Sequence, residues 1–113
     1  MASEFDDRRE SQRIPFIFRV RERAQGGPFE QRAGNLSLGG VYYAGARPPV
    51  GTFVDLRFSI PGHDHEVVAE GEVLRISRAN ELYGSHIRFT QIPLDCELAL
   101  ARHLQTVAAA EAK

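Results

Sequence analysis

The sequence predicts a mainly β domain, an antiparallel barrel or sandwich with one C-terminal helix packed across an open end, and three observations lead there. Short runs of apolar residues alternate with polar ones in the period-two pattern of half-buried strands. Turn-forming clusters of Gly, Pro, Asn and Ser separate these runs at roughly 8–12 residues. Only after Pro93 does the apolar spacing change to three and four residues, the period of a helix.

The first 13 residues are polar, charged and without a hydrophobic period, so residues 1–13 are expected to form a flexible arm and residues 14–113 a single domain. Packing begins at Ile14, where Ile14, Phe16, Phe18 and Val20 alternate with Pro15, Ile17, Arg19 and Arg21. The turn Gln25-Gly26-Gly27-Pro28 ends that strand, and a short segment, residues 29–33, leads to Asn35-Leu36-Ser37-Leu38-Gly39-Gly40. Val41-Tyr42-Tyr43-Ala44 reads as a strand and residues 47–51 as a loop. Val54, Leu56, Phe58 and Ile60 form the next alternating set, stopped by Pro61-Gly62. Residues 66–76 are long and β-branched, with Gly71 placed to permit a bulge or a sharp barrel bend. Tyr83, Ser85, Ile87 and Phe89 alternate with Gly84, His86 and Arg88 before Pro93. Leu94, Leu98, Ala101 and Leu104, flanked by Leu100 and Val107, then predict a helix with Asp95 near its N-terminus. Six short strands and one helix result, and closure into a barrel would hide the strand edges.

A chain of 113 residues is the size of one domain. Its 42% hydrophobic and 26% charged residues are the balance of an ordinary globular protein rather than a disordered one. No apolar run approaches the ~20 residues of a membrane span. Met1 to Glu10 lacks the apolar stretch of a secretory signal, so a cytoplasmic protein is expected. The single cysteine, Cys96, lies in an amphipathic stretch and reads as a small buried hydrophobe.

The formal net charge of −1 argues against a nucleic-acid binder. Charge is unevenly placed, however: residues 8–32 hold seven arginines against three glutamates. Thirteen of the fourteen basic residues are arginine, whose planar fork suits bidentate contacts and stacking. Arg19, Arg21 and Arg23 read as the solvated face of a strand.

Two short motifs carry the chemistry. Arg9 and Arg13 form an RxxxR directly before the first strand, and Asn35-x-Ser37-x-x-Gly40 fits [D/N]-x-S-x-x-G on the way into a strand. Each alone is common, since basic arms and Asn, Ser and Gly turns are frequent. In this order, 22 residues apart, the sequence resembles the PilZ domain family from about residue 8 to residue 104. The Ile14-Pro15 strand start, the Pro49-Val50-Gly51 turn, Gly71-Glu72-Val73 and Tyr83 to Phe89 resemble elements of that family as well.

The resemblance implies a six-stranded antiparallel β-barrel with a C-terminal α-helix, and a receptor for the bacterial second messenger cyclic di-GMP that relays the signal to a partner protein. It implies that Arg9 and Arg13 clasp the ligand while Asn35, Ser37, Gly39 and Gly40 form the floor. Arginine suits both ligand groups, because its fork matches a phosphodiester and the O6/N7 edge of guanine, and its plane stacks on a base. Arg8, next to the motif, implies two ligand molecules per chain. Asn35 stands where many members have aspartate, which removes a negative charge that could orient an arginine.

Other classes fit less well. A PilZ-fold adaptor with weak or absent nucleotide binding is the main rival, and the intact motifs argue against it. A single-strand nucleic-acid binder would need a basic, aromatic groove, whereas residues 61–113 hold five basic and eight acidic residues. An enzyme is not expected: His63-Asp64-His65 could ligate a metal, but no second ligand cluster is evident in sequence and the three read as an exposed turn. The expectation is therefore a binding protein with no catalytic residues, no metal, no cofactor beyond its ligand and no membrane span.

Overall fold

The computed structural model of the chain describes residues 14–45, 48–79 and 81–111. Six strands, β1 (Ile14–Glu22), β2 (Glu30–Leu36), β3 (Gly40–Ala44), β4 (Phe53–Phe58), β5 (Val67–Ala79) and β6 (Leu82–Gln91), precede one helix, α1 (Leu94–Glu111). The strands close a barrel in the order β1-β2-β3-β6-β5-β4, with every pairing antiparallel. The choice between barrel and sandwich is thereby decided, because β4 pairs with β1 and leaves no open edge. Arg8, Arg9 and Arg13, and the whole of the expected arm, lie outside the described residues.

The alternating residues point inward as expected. Phe18, Leu36, Tyr43, Val54, Leu56, Val67 and Val73 are fully buried, and Ile14, Val20, Val41, Phe58, Ile60 and Ile87 are nearly so. Phe16 packs edge-on to Phe58, with ring centroids 5.9 Å apart, while its neighbour Ile17 faces outward. The irregularity expected at Gly71 is present: pairing steps from Glu70↔Gln91 to Gly71↔Phe89, so β6 carries an extra residue opposite this glycine. A Cβ there would meet the Ile87 side chain at 2.5 Å, which explains why the bend is built on glycine.

β2 has none of the alternation that marks the other strands, since Leu36 is its only buried residue. Its strand form comes from pairing with β1 on one side and β3 on the other. The helix corrects a second expectation. Its buried stripe is Cys96, Leu100 and Leu104, with Ala99 and Val107 packed against the core. Leu94 and Leu98 are 69% and 52% exposed. Both sets follow the three- and four-residue spacing of a helix and share Leu104, so spacing alone could not choose between them; the barrel end took Cys96, Ala99 and Leu100 in place of Leu94 and Leu98.

Candidate functional site

Asn35 and Leu36 are the last residues of β2, Ser37 to Gly39 make the turn, and Gly40 opens β3. The motif thus straddles a strand end and a turn rather than lying wholly on a turn. Ser37 closes the hairpin twice, its backbone N–H donating to the Gly40 carbonyl at 2.9 Å and its hydroxyl donating to the same oxygen at 3.1 Å. The hydroxyl proton is therefore engaged, while the oxygen lone pairs of Ser37 remain able to accept. The Gly39 carbonyl accepts from the Phe89 N–H at 2.9 Å, which ties the turn to β6.

Gly40 is buried, and a Cβ on it would lie 1.9 Å from the Ile87 carbonyl oxygen. The requirement for glycine at this motif position is thus met by the close approach of β3 to β6, independently of any ligand. Its φ is not in the left-handed region, so conformational freedom is not what the position demands.

An open cavity of about 260 Å³ lies beside this turn on the outer face of the barrel, where β3, β6 and β5 run side by side. All four residues expected to form the floor, Asn35, Ser37, Gly39 and Gly40, line it. So do Tyr42, Leu74, Arg75, His86 and Arg88, which the motifs had not indicated. The Tyr42 and His86 rings are in contact, with centroids 4.7 Å apart. Arg75 approaches His86 Nδ1 at 3.4 Å, and His86 Nε2 meets the Ser77 hydroxyl at 3.0 Å. Arg88 is paired with Glu72 at 2.8 Å. The cross-strand register that aligns Tyr42, His86 and Arg75 is the signal that sequence reading lacked.

The arginines of β1 and β2 are arranged differently. Arg19 pairs with Glu66, Arg21 and Arg23 both reach Asp55, Arg23 also reaches Glu70 at 2.8 Å, and Arg32 pairs with Glu30 at 2.7 Å. The solvated-face reading of Arg19, Arg21 and Arg23 holds, with carboxylates matching their charge.

Strand register fixes the position of Ile14. Ile14, the residue after Arg13, pairs with Leu36, and Pro15 with Asn35. The chain before Ile14 therefore joins the barrel next to the Asn35–Gly40 turn. Arg9 lies five positions before Ile14, a maximal extended reach of about 17 Å.

Among the described residues no helix is long and apolar enough to cross a membrane. The PilZ domain family model matches residues 7–106. Solved structures of the same fold include the inhibitor of motility MotI/DgrA of Bacillus subtilis, with TM-score 0.74, 16% identity, and 90% of this chain against 53% of that one covered. The PilZ domain of Escherichia coli YcgR with c-di-GMP has TM-score 0.62 and 20% identity over 93% and 97% of the two chains. The K. pneumonia MrkH–c-di-GMP complex has TM-score 0.64 and 15% identity over 94% and 54%. This chain thus spans about half the length of MotI and MrkH. Identities this low establish a common fold alone, and a comparison with curated proteins gave no match. The family model covers almost the entire sequence, and the barrel has the expected six strands and helix: the chain belongs to the PilZ domain family, a family of cyclic di-GMP receptors.

Proposed function

We propose that this chain is a cytoplasmic cyclic di-GMP receptor in which residues 1–13 act as a clasp and residues 14–113 as the platform. Arg9 and Arg13 bind the phosphodiesters and guanine edges, Arg8 stacks on a second ligand molecule, and Asn35, Ser37, Gly39 and Gly40 form the floor. The observation that carries this reading is the Ile14↔Leu36 pairing, which sets Ile14, the residue after Arg13, next to the turn whose four floor residues line the cavity. Ordering the arm over the cavity creates a new surface for a downstream protein, and by linkage that protein tightens ligand binding by the same factor. The reading assigns no catalytic step to the chain.

Calorimetric titration of the full chain tests it. Cyclic di-GMP should saturate at two molecules per chain, and cyclic di-AMP should bind more weakly because adenine presents an N6 donor where guanine presents O6. Arg9→Ala and Arg13→Ala should each lower affinity by about 10- to 150-fold, the equivalent of roughly 1.5–3 kcal/mol. Normal binding by both variants overturns the clasp. The alternative of a PilZ-fold adaptor draws support from the likeness to a protein named as an inhibitor of motility. It predicts a flat isotherm with the unaltered chain.

A further inference from the structure

The tight turn after β4 brings His63 toward the first turn of α1. Pro61 and Gly62 occupy its two central positions, Gly62 has φ +84°, and the His63 N–H donates to the Ile60 carbonyl at 3.0 Å, the geometry of a type II turn. On the other side, the Glu97 N–H donates to the Pro93 carbonyl at 2.9 Å, while Cys96 is buried at the base of the Leu100–Leu104 stripe. Two well-anchored segments thus meet. His63 Nε2 lies 3.7 Å from Cys96 Sγ and 3.7 Å from Asp95 Oδ2, and the three donor atoms all fall within 4.8 Å of one another.

We infer that His63, Asp95 and Cys96 form a binding site for a zinc-class divalent cation, with His65 of the same loop as the fourth ligand. Zinc bonded at about 2.3 Å to sulfur and about 2.0–2.1 Å to nitrogen and oxygen in a tetrahedron has donor–donor edges of about 3.3–3.6 Å. The two 3.7 Å separations from His63 differ from these by a few tenths of an ångström, while the Asp95–Cys96 edge, within 4.8 Å, closes by rotation of the exposed Asp95 side chain. A thiol, an imidazole and a carboxylate together suit zinc better than calcium or magnesium, which favour oxygen ligands alone. His65 is exposed, and its ring centroid is 5.8 Å from that of His63, which makes it the other imidazole of the loop available to a metal held by His63.

A reactive cysteine is the other use of such a cluster, and the surroundings oppose it. Burial, reinforced by the neighbouring Asp95 charge, pushes the Cys96 thiol up from its ordinary value, the reverse of an activated nucleophile. On metal binding the thiol proton passes to solvent and the thiolate becomes a ligand. The site would clip the β4–β5 loop to α1, fastening the helix to the barrel, and its role is structural. It requires no cyclic di-GMP and stands independently of the receptor reading.

Cobalt(II) substitution on the full chain, stripped with chelator and kept reduced, tests the site. Titration should give one equivalent of tetrahedral cobalt with a thiolate-to-metal charge-transfer band, displaced by one equivalent of zinc. Zinc at a hundred times its dissociation constant should raise the melting temperature, the linkage effect of binding the folded state. Cys96→Ser should abolish the band. Because Cys96 is buried, His63→Gln provides the variant whose metal-free melting temperature should stay near that of the parent, and it should lose at least 100-fold in cobalt affinity. His65→Asn should lose about tenfold. Absence of the charge-transfer band in the parent, or its persistence in His63→Gln at unchanged affinity, overturns the site; unchanged affinity in His65→Asn overturns the assignment of the fourth ligand.

Discussion

Two outer faces of the same barrel carry arginines, and they treat them in opposite ways. On the β1–β4 side Asp55 accepts from both Arg21 and Arg23, Glu66 and Glu70 take further pairs, and the Arg21 and Arg57 guanidinium groups lie 4.4 and 4.6 Å from the Phe29 ring. On the β3–β6–β5 side Arg75 touches the His86 ring and Arg88 a single carboxylate, beside a cavity. The first arrangement pairs Arg19, Arg21 and Arg23 with carboxylates and sets Arg21 and Arg57 against an aromatic ring, with Arg57 Nε buried and unpartnered. The second leaves donors and an aromatic surface around a hollow, which is what an anionic, base-containing ligand requires. Local density of arginine in the sequence therefore does not by itself locate a site; the partners that folding supplies decide whether a guanidinium is already engaged.

The sharpest test lies at Gly40, where the open face meets the core. Gly40→Ala should lower stability by about 3 kcal/mol through backbone overpacking against Ile87, read as a shift in the urea midpoint. Normal stability with lost nucleotide binding would instead make this glycine a ligand requirement. Next in size is an effect at Tyr43, a buried residue of β3. Burial pushes the Tyr43 phenol up to about 12, only partly offset by the Arg32 charge. Because the folded value is raised, the stabilisation is intact below the free-tyrosine value of about 10 and is lost as pH rises from there through about 12, a loss of roughly 2–3 kcal/mol. Tyr43→Phe should flatten this alkaline limb in denaturation measured against pH.

The two faces separate directly by alanine substitution. Arg75→Ala should weaken cyclic di-GMP binding by about tenfold or more with little change in stability, whereas Arg23→Ala should leave the isotherm as it was. Equal losses from the two would erase the distinction between the faces. The smallest effect is expected at Asp55→Asn, which removes the shared acceptor of Arg21 and Arg23. As these groups are partly solvated, a cost of about 1 kcal/mol is expected in chemical denaturation, with ligand affinity unchanged.

By itself the sequence determined the elements whose stabilising surface is local. β1, β4 and β6 were legible because alternation of Phe18, Leu56 or Ile87 with polar neighbours satisfies only one periodicity, and the bend at Gly71 because a missing Cβ admits it. The helix was legible for the same reason, as was the family, from two motifs held at a fixed separation. Tertiary structure alone decided what depends on neighbours distant in the chain. β2 is a strand because β1 and β3 complete its hydrogen bonds, although its own residues bury almost nothing. The helix turned Cys96 and Leu100 inward and left Leu94 and Leu98 outside, since two sets at helical spacing differ only in what the barrel end can accommodate. Tyr42, Arg75 and His86 gathered beside the Asn35–Gly40 turn through strand register, and His63 met Asp95 and Cys96 through the docking of α1. These are contacts across many residues of chain, and periodicity, which records only the nearest few positions, contains no information about them.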